Sequence, residues 1–394
     1  MDSMMRLRLA LMLGALIPTV AVAGLVSGVP VSNIKDPSKE QLALTCRTSS
    51  QRCGDVLGTL RTAPGPMTAS LSAAGLRIKY LGTGGVYIER CRGGTCEAIM
   101  TAPFFSHTSL LALGLSEVKS DPTVVTANMN ALLNATELIR VEAVLAGHSH
   151  HDHILDVPEV LANFATGASA FGNETMRNIL LGSDLPETNF ISMNDDAVGI
   201  ATAPSWTNIP GQSIRFVALE SKHTPNFDTE IPLLSFNFAE GSVGKARNSL
   251  PRRPRGWKEG QTLAFVIDFL DAPNGTNVDY RFYYQDTPFA PPVSHGTASF
   301  VALGLDTAPR EVDMAIVCVA TANFEKGYFT AMDAQLSPDY YYLSHWEDFF
   351  EGYTLDAPSL KAVSVTDPSE IITDLLTQVP GAEWVLPAPG TELP

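Results

Sequence analysis

The stretch His148-Ser149-His150-His151-Asp152-His153 places four imidazoles and one carboxylate within six residues. Imidazole is the side chain that binds metal ions most often in proteins, and a carboxylate adds the oxygen ligand that suits a divalent ion. An apolar run at 141–146, followed by Gly147, predicts a buried strand before the cluster. After it, Asp156-Val157-Pro158-Glu159 has the form of a helix N-terminus. The cluster is therefore predicted to lie on a loop between a strand and a helix, where alternate side chains can point at two neighbouring metal positions.

The pattern His-x-His-x-Asp-His on such a loop resembles the metallo-β-lactamase superfamily, and the resemblance covers most of the chain after about residue 76. It implies an α+β fold, an αβ/βα four-layer sandwich in which two sheets pack between helices. It also implies that His148 and His150 bind one metal ion, and that Asp152 and His153 bind a second. His151 falls on a variable position of the pattern.

Two further histidines match the resemblance, each just after a predicted strand. A strand at 214–219 precedes His223, and the proline at 225 stops the regular backbone there, so the ring can be aimed into a cleft. The resemblance implies that His223 is the third ligand of the first ion. A tyrosine-rich strand starting at Tyr340 precedes His345, which would complete the second site.

The last ligand implied by the resemblance is an aspartate that bridges the two ions. The segment 262–284 predicts two strands joined by a turn at Asn274-Gly275, and the second strand ends before Asp286. Asp268 and Asp271 are rivals, but they lie within a predicted strand and in the hairpin turn. The resulting metal-ligand set is His148, His150, Asp152, His153, His223, Asp286 and His345.

One segment departs from the pattern. The strand predicted at 97–101 leads into Ala102-Pro103-Phe104-Phe105-Ser106-His107, which looks like the branch that contains lactonases of sugar phosphates and phospholipase-D-type phosphodiesterases. That branch usually has an aspartate where this chain has Ala102, so a carboxylate that orients a ligand histidine is expected to be missing or replaced. His107 is a candidate for the mouth of the pocket, with an ordinary loop histidine as the alternative. The turn Gly82-Thr83-Gly84-Gly85 lacks the spacing of a phosphate-binding loop, so it predicts no nucleotide site.

Basic residues gather between 245 and 258, which is unusual in a chain whose net charge is −16. Arg252, Arg253 and Arg255 would suit a lid that offers guanidinium groups to an anionic small-molecule substrate. A solvated loop and a contact with an anionic membrane surface are the alternatives. The acidic balance of the chain argues against nucleic acid as a partner, because phosphate binding needs a basic face.

The N-terminus predicts export. Residues 1–24 have the basic start, the apolar run and the Ala21-Val22-Ala23 ending of a secretory signal peptide. An uncleaved membrane anchor is the alternative, because apolar residues continue to Val29. Residues 25–75 are expected to form a linker and a small N-terminal extension, and residues 76–394 the catalytic domain. The protein is therefore expected to be secreted or periplasmic.

The five cysteines agree with an oxidising compartment. Cys46 lies near Cys53, and Cys91 near Cys96, which suggests two local disulfides, although four cysteines allow three connectivities. A four-cysteine metal site is a weaker interpretation, since neither pair has the Cys-x-x-Cys spacing. Cys318, within an apolar run, is expected to be a buried thiol and not a nucleophile.

Together these residues predict a secreted hydrolase with two divalent metal ions, for which zinc is the expected metal. The ions would activate a water molecule for attack on an ester-type bond, such as a lactone or phosphodiester, with Asp152 and Asp286 as the catalytic carboxylates. An iron-dependent oxidoreductase similar to sulfur dioxygenases is one alternative, since the ligand types also suit iron. A non-catalytic metal-binding protein is another, because Ala102 departs from the pattern.

Overall fold

The computed structural model describes residues 65–393 except 110–112, 114–115, 134–139, 225–239, 356–361 and 364–365. The predicted signal peptide, most of the predicted extension, and Cys46 and Cys53 lie outside the described residues. Within the described part, fourteen strands form two sheets of seven strands each. No helix in this part is both long enough and apolar enough to cross a membrane.

The first sheet begins with antiparallel hairpins and continues with parallel strands. Its strands are β1 (Leu76–Gly82), β2 (Gly85–Arg92), β3 (Thr95–Thr101), β4 (Arg140–Leu145), β5 (Ser169–Gly172), β6 (Phe190–Ser192) and β14 (Glu392–Leu393). Their order across the sheet is β14-β1-β2-β3-β4-β5-β6. The turns β1–β2 and β2–β3 are short because those pairs are antiparallel, whereas β3 to β6 are parallel and need crossover connections.

The second sheet brings the ends of four strands to one edge. Its strands are β7 (Thr207–Asn208), β8 (Ile214–Glu220), β9 (Leu263–Leu270), β10 (Val278–Gln285), β11 (Met314–Cys318), β12 (Tyr340–Ser344) and β13 (Glu383–Val385). Their order is β13-β12-β11-β10-β9-β8-β7. Because β8 and β10 are both antiparallel to β9, and β10 to β12 are mutually parallel, the carboxyl ends of β8, β10, β11 and β12 share an edge.

Helices cover both outer faces of the paired sheets. They are α1 (Gly65–Ala74), α2 (Pro122–Leu132), α3 (His151–Ile154), α4 (Val157–Asn163), α5 (Glu174–Leu180), α6 (Thr297–Ala302), α7 (Tyr328–Leu336) and α8 (Pro368–Gln378). Alternate residues of β3 show the layering: Ile99 faces the second sheet, whereas Ala98 and Met100 face α2 and α4. The second sheet shares its core with α7 and α8. The α+β four-layer sandwich is therefore confirmed.

Two helix starts differ in how they are capped. The helix α2 begins at Pro122, because Asp121 accepts hydrogen bonds from the backbone of Thr123 and Val124, and Pro122 occupies the first helical position. Asp156 does precede α4, but its side chain makes no capping hydrogen bond. The helices α6 and α7 were not predicted.

Three cysteines lie within the described residues, and their states agree with the predictions. Cys91 and Cys96 form a disulfide across the β2–β3 hairpin, where they are paired in register. Cys318 is a free, buried thiol at the end of β11, as predicted. The hairpin disulfide lies at the opposite end of β2 from the glycine-rich turn 82–85.

Candidate metal centre

All seven predicted ligands line one cavity, at the edge where the strands of both sheets end. His148 and its neighbours follow β4, His223 follows β8, Asp286 follows β10 and His345 follows β12. Residues more than 190 positions apart in the sequence are thus brought together by strand direction alone. The topology explains why a ligand comes after so many separate strands.

The register of the second sheet determines how far along the strand direction each side chain lies. Gln285 of β10 pairs with Val317 of β11, which pairs with Leu343 of β12. Asp286, one residue beyond, is therefore level with Cys318, and His345 stands two residues beyond Leu343. This register places the Cys318 thiol in the wall of the cavity, which the sequence did not indicate.

The metal-binding stretch is only partly a loop, which corrects the prediction. His150 has extended backbone angles, whereas His151–Ile154 form the single helical turn α3. The rings of His148 and His150, which precede this turn, contact each other edge to face. The helical turn then carries Asp152 and His153 to a second position. Two backbone conformations, one after the other, divide the stretch between two sites.

The first ligand group consists of His148, His150 and His223, whose ligand atoms lie within 4.8 Å of one another. His148 Nε2 is 3.1 Å from His150 Nδ1. Two nitrogen ligands of one tetrahedral zinc ion lie about 3.3 Å apart, given bonds of about 2.0 Å. The Nδ1–H of His223 donates to the carbonyl of Thr224 at 2.6 Å, which leaves Nε2 as the ligand atom.

The second ligand group consists of Asp152, His153 and His345, again within 4.8 Å of one another. Asp152 Oδ2 is 3.5 Å from His153 Nε2 and 3.8 Å from His345 Nε2. All three side chains are buried. The carboxylate therefore faces the Nε2 atoms of both histidines, as three ligands of one ion would.

Asp286 lies between the two groups and contacts a ring of each. Its Oδ1 accepts from His148 Nδ1 at 3.0 Å, and its Oδ2 lies 3.3 Å from His153 Nδ1. The backbone N–H of Gly147 also donates to Oδ2 at 2.9 Å. Asp286 thus forms a hydrogen bond with the His148 ring and lies beside the His153 ring, and its role as a bridging ligand stays a prediction.

The protonation states of the ligands suit a metal ion except at His153, where burial is outweighed by Asp286 and Asp152, which raise the pKa of the ring. Burial lowers the pKa of His223 and of His345 to about 3, so both rings are neutral. The pKa of Asp286 lies well below its usual value, because the nearby imidazoles of His148 and His153 outweigh the effect of burial. The pKa of Asp152 is lowered in the same way, chiefly by His153. Neutral imidazoles and ionised carboxylates are the forms in which these side chains bind metals.

An unpartnered polar atom also indicates a missing ligand. Among the described residues, the buried atom Asp152 Oδ1 has no hydrogen-bond partner. Buried polar groups are otherwise nearly always paired, because leaving one unpaired is costly. A divalent ion at the second group would neutralise this carboxylate, so the residues fit the metal.

Glycines let the backbone approach the centre closely. A Cβ at Gly147 would collide with the carboxylate of Asp286. A Cβ at Gly84 would lie 2.8 Å from His153 Nδ1 and 3.1 Å from the Cβ of Asp286. The turn 82–85 is therefore packed against the second ligand group. This close packing explains the glycines of the turn better than a phosphate-binding role would.

The departure at Ala102 is compensated by other residues. Ala102 is buried and adopts a positive φ of 29° at the end of β3. The rings of His148 and His223 are oriented by Asp286 and by the Thr224 carbonyl, and neither acceptor comes from position 102. Asp156, expected to cap a helix, instead accepts from the backbone of Phe105 at 2.6 Å and holds the segment after β3 in place.

The four residues proposed to contact substrate are not among those that line the cavity. His107 donates its Nδ1–H to the Phe349 carbonyl at 3.0 Å. Arg252 pairs with Glu117 at 3.3 Å, and Arg253 donates to the Ser116 carbonyl at 2.9 Å. Arg255 is exposed. The basic stretch is thus tied to residues 116–118, and its contacts give no support to a lid.

Sequence reasoning missed several residues of the cavity wall. Apart from Cys318, they are threonines and small or apolar residues that follow the strands, and no motif signals them. They are Thr224, Thr287, Pro288, Ala320, Thr321 and Phe349.

Comparisons with known proteins found likeness in structure only. No protein-family model and no curated protein matches the sequence. Igni18, a metallo hydrolase from the archaeon Ignicoccus hospitalis KIN4/I, is similar with a TM-score of 0.45 and 13% identity, over 80% of this chain and 97% of that one. CmlA, a diiron beta-hydroxylase from Streptomyces venezuelae, has a TM-score of 0.41 and 12% identity, over 79% of this chain and 52% of that one. BJP-1, a subclass B3 metallo-beta-lactamase of Bradyrhizobium japonicum, has a TM-score of 0.27 and 11% identity, over 76% and 87%.

The fold itself rests on the chain's own architecture. Two seven-stranded sheets lie between layers of helices, and the histidines and aspartates of the sequence pattern meet where the strands end. This chain has the metallo-β-lactamase fold.

Proposed function

We propose that the protein is a metal-dependent hydrolase that holds two divalent ions, with zinc as the metal, and cleaves an ester-type bond. The observation that carries the proposal is the division of six residues, five of them buried and His223 half-buried, into two ligand groups of three. Three protein ligands leave coordination positions for water and substrate, as catalytic metal sites require.

When bound, such ions lower the pKa of a water molecule to about 7 and polarise a carbonyl or phosphoryl oxygen. The chain supplies the arrangement: Asp286 accepts a hydrogen bond from His148 Nδ1, and its Oδ2 lies 3.3 Å from His153 Nδ1. Asp286 and Asp152 are buried and ionised, and both are the carboxylates we propose for catalysis. We propose Asp286 as the residue that receives a proton, because it lines the cavity and is ionised.

A covalent mechanism through the one thiol in the cavity wall is disfavoured. Burial raises the pKa of Cys318 well above its usual value, so the sulfur stays protonated and weakly nucleophilic. The remaining wall offers threonine hydroxyls and apolar side chains such as Phe349. We therefore propose water as the nucleophile and a small molecule, such as a lactone or a phosphodiester, as the substrate.

The test is elemental analysis of the full-length protein, purified without chelators or added metal, followed by assays on lactones and on a chromogenic phosphodiester. We expect about two zinc ions per chain, and hydrolysis that a chelator abolishes and zinc restores. About one iron per chain without hydrolysis would point to oxygen chemistry instead. A folded protein that neither contains nor accepts a divalent metal would overturn the proposal.

We also propose that the protein is exported. The disulfide Cys91–Cys96 supports this, since disulfides persist in oxidising compartments. Cell fractionation and N-terminal sequencing test it: we expect a periplasmic or secreted protein that begins at Leu25. A cytosolic protein that retains residues 1–24 would contradict the proposal.

A further inference from the structure

A buried hydrogen-bond chain connects Glu347 to the backbone of His345 through Tyr80. The Tyr80 hydroxyl donates to Glu347 Oε2 at 2.6 Å. The same hydroxyl oxygen accepts from the backbone N–H of His345, also at 2.6 Å. We propose that Tyr80 and Glu347 are positioning residues that hold His345 for the metal ion of the second ligand group. The inference rests on the metal sites of the proposed function but not on its hydrolytic reaction.

His345 needs such support because of its own conformation. Its φ is +60°, in the left-handed region that residues other than glycine rarely adopt. Its ring receives no help from hydrogen bonding, since Nδ1 has no partner among the described residues. Metal-binding histidines usually donate their second nitrogen to an acceptor that fixes the ring. Here the hydrogen bond to the backbone N–H takes over that task.

Glu347 is a costly residue to keep in this place. It is fully buried, and in the described part of the chain its hydrogen-bond donors are the Tyr80 hydroxyl, the Thr83 N–H and the Tyr353 hydroxyl, with no ion pair to lysine or arginine. Burying a carboxylate without a cation is unfavourable unless its oxygens are well satisfied. A fully satisfied polar network inside a protein fixes one arrangement of its members.

The same carboxylate also connects His345 to the other histidine of the second group. Thr83, which donates its N–H to Glu347 Oε1, belongs to the turn 82–85. Gly84 in that turn packs directly against His153. Glu347 therefore ties the segment of His345 to the turn that supports His153. The contacts of Tyr80 and Glu347 described here reach only the second ligand group.

Two tyrosines make a matched pair for the test. Tyr80 and Tyr353 are both buried, and each donates its hydroxyl to Glu347. Only Tyr80 also accepts from the His345 N–H. A purely structural role for the network would make Tyr80→Phe and Tyr353→Phe equivalent, whereas the positioning role makes them different.

The measurement is a Co²⁺ titration of the metal-free protein, followed by visible absorption and by competition with a chelator. We expect Tyr80→Phe to weaken one of two ions by about 10- to 100-fold, the range seen when groups that orient ligands are removed. The other ion should bind as in the wild type. Tyr353→Phe should leave both affinities within about threefold, which is small beside that range.

Equal affinities in Tyr80→Phe and the wild type would overturn the inference, as would an equal loss in Tyr353→Phe. If Tyr80→Phe does not fold, Glu347→Gln replaces it, because the amide cannot accept from all three donors. Loss of folding in both variants would assign the network to stability and overturn the positioning role. A wild-type protein that binds two ions but hydrolyses nothing would remove the proposed function and leave this inference standing.

Discussion

The two ligand groups are built from similar side chains but are held in different ways. In the first group, His148 and His223 each donate Nδ1–H to a fixed acceptor, Asp286 and the Thr224 carbonyl. In the second group, the Nδ1 of His345 has no partner in the described part of the chain, and its backbone is held instead. The first group is thus oriented through its rings and the second through its main chain.

This difference teaches which site should be the weaker one. A ring fixed by a hydrogen bond has one orientation and one tautomer, so little ordering is needed when the ion binds. A ring held only through its backbone must still be ordered by the ion. We therefore expect the second group to release its ion first as a chelator is added.

Removing one ligand from each group gives the largest expected effect. His223→Ala should weaken the first site by more than about 100-fold, since even groups behind the ligands are worth 10- to 100-fold. His345→Ala should leave one ion per chain, bound by the first group. Both variants should lose nearly all hydrolysis, because the proposed reaction needs both ions. Metal content after gel filtration and turnover of the best ester substrate check these expectations.

His295→Ala is the matched control. This buried histidine bonds to Tyr283 and to the Glu220 carbonyl, and it is not one of the residues that line the cavity. The variant should lose stability but keep two ions per chain. A His345→Ala protein that still binds two ions would show that the second group is assigned wrongly.

Replacing Asp286, which contacts both groups, should weaken metal binding less than removing a ligand histidine does, and to a similar extent at both groups. In Asp286→Asn the amide nitrogen cannot accept from an imidazole N–H, so the His148 or the His153 contact is lost. We expect both ions to bind about 10- to 100-fold more weakly. Competition with a chelator, one ion at a time, measures this. An effect confined to one group would restrict Asp286 to that group.

Asp268→Asn is its control within the same sheet. Asp268 is equally buried, but it pairs with Arg281 at 2.6 Å and with Arg215 at 2.7 Å, away from the cavity. Breaking such a buried pair costs about 3–5 kcal/mol of stability. The variant should therefore unfold at lower denaturant concentration while its metal affinities stay unchanged. Of the two aspartates, only Asp286 is among the residues that line the cavity.

The ligand groups were predictable because their signal is local. His148 to His153 are adjacent in the sequence, and His223, Asp286 and His345 each follow a strand whose apolar pattern is clear. Strand ends are the places where a sheet presents side chains to a shared edge. The fold class was implied by the family resemblance that the histidine pattern carries, and the alternation of strands and helices agreed with it.

The supporting residues were not predictable because their partners are distant in sequence. Tyr80 and Glu347 are 267 positions apart, and each alone looks like an ordinary residue of a strand or loop. Asp156 matched a helix cap by spacing, yet its side chain bonds to Phe105, 51 positions away. Arg252 suggested a substrate contact by charge, yet Glu117 is its partner. Rules based on neighbouring residues describe the backbone well, but the hydrogen-bond and ion-pair partners of these side chains depend on tertiary packing.

The smallest expected effect comes from a single methyl group behind the second ligand group. In Gly84→Ala the new Cβ would lie 2.8 Å from His153 Nδ1 and 3.0 Å from the Tyr284 hydroxyl, closer than ordinary contacts allow. The neighbours cannot simply move away, since the Tyr284 hydroxyl donates to the Gly84 carbonyl itself. Crowding of this kind costs about 1–3 kcal/mol. We expect that loss in unfolding free energy, together with a selective weakening of the second ion by about tenfold, which corresponds to about 1.4 kcal/mol.

The control for this change is Gly244→Ala, since a Cβ at Gly244 meets no atom within 4 Å. A change from glycine to alanine at an open site alters stability by about 1 kcal/mol or less, through the unfolded chain. Competition with a chelator, measured on both variants, distinguishes the effect of the close contact at Gly84 from the general effect of replacing a glycine with alanine. If Gly84→Ala weakens the two ions equally, the turn 82–85 supports the whole centre and the contrast between the groups is smaller than their hydrogen bonds suggest. If Gly84→Ala weakens only the second ion, the glycine-rich turn belongs to the same network as Tyr80 and Glu347, and this network holds that ion.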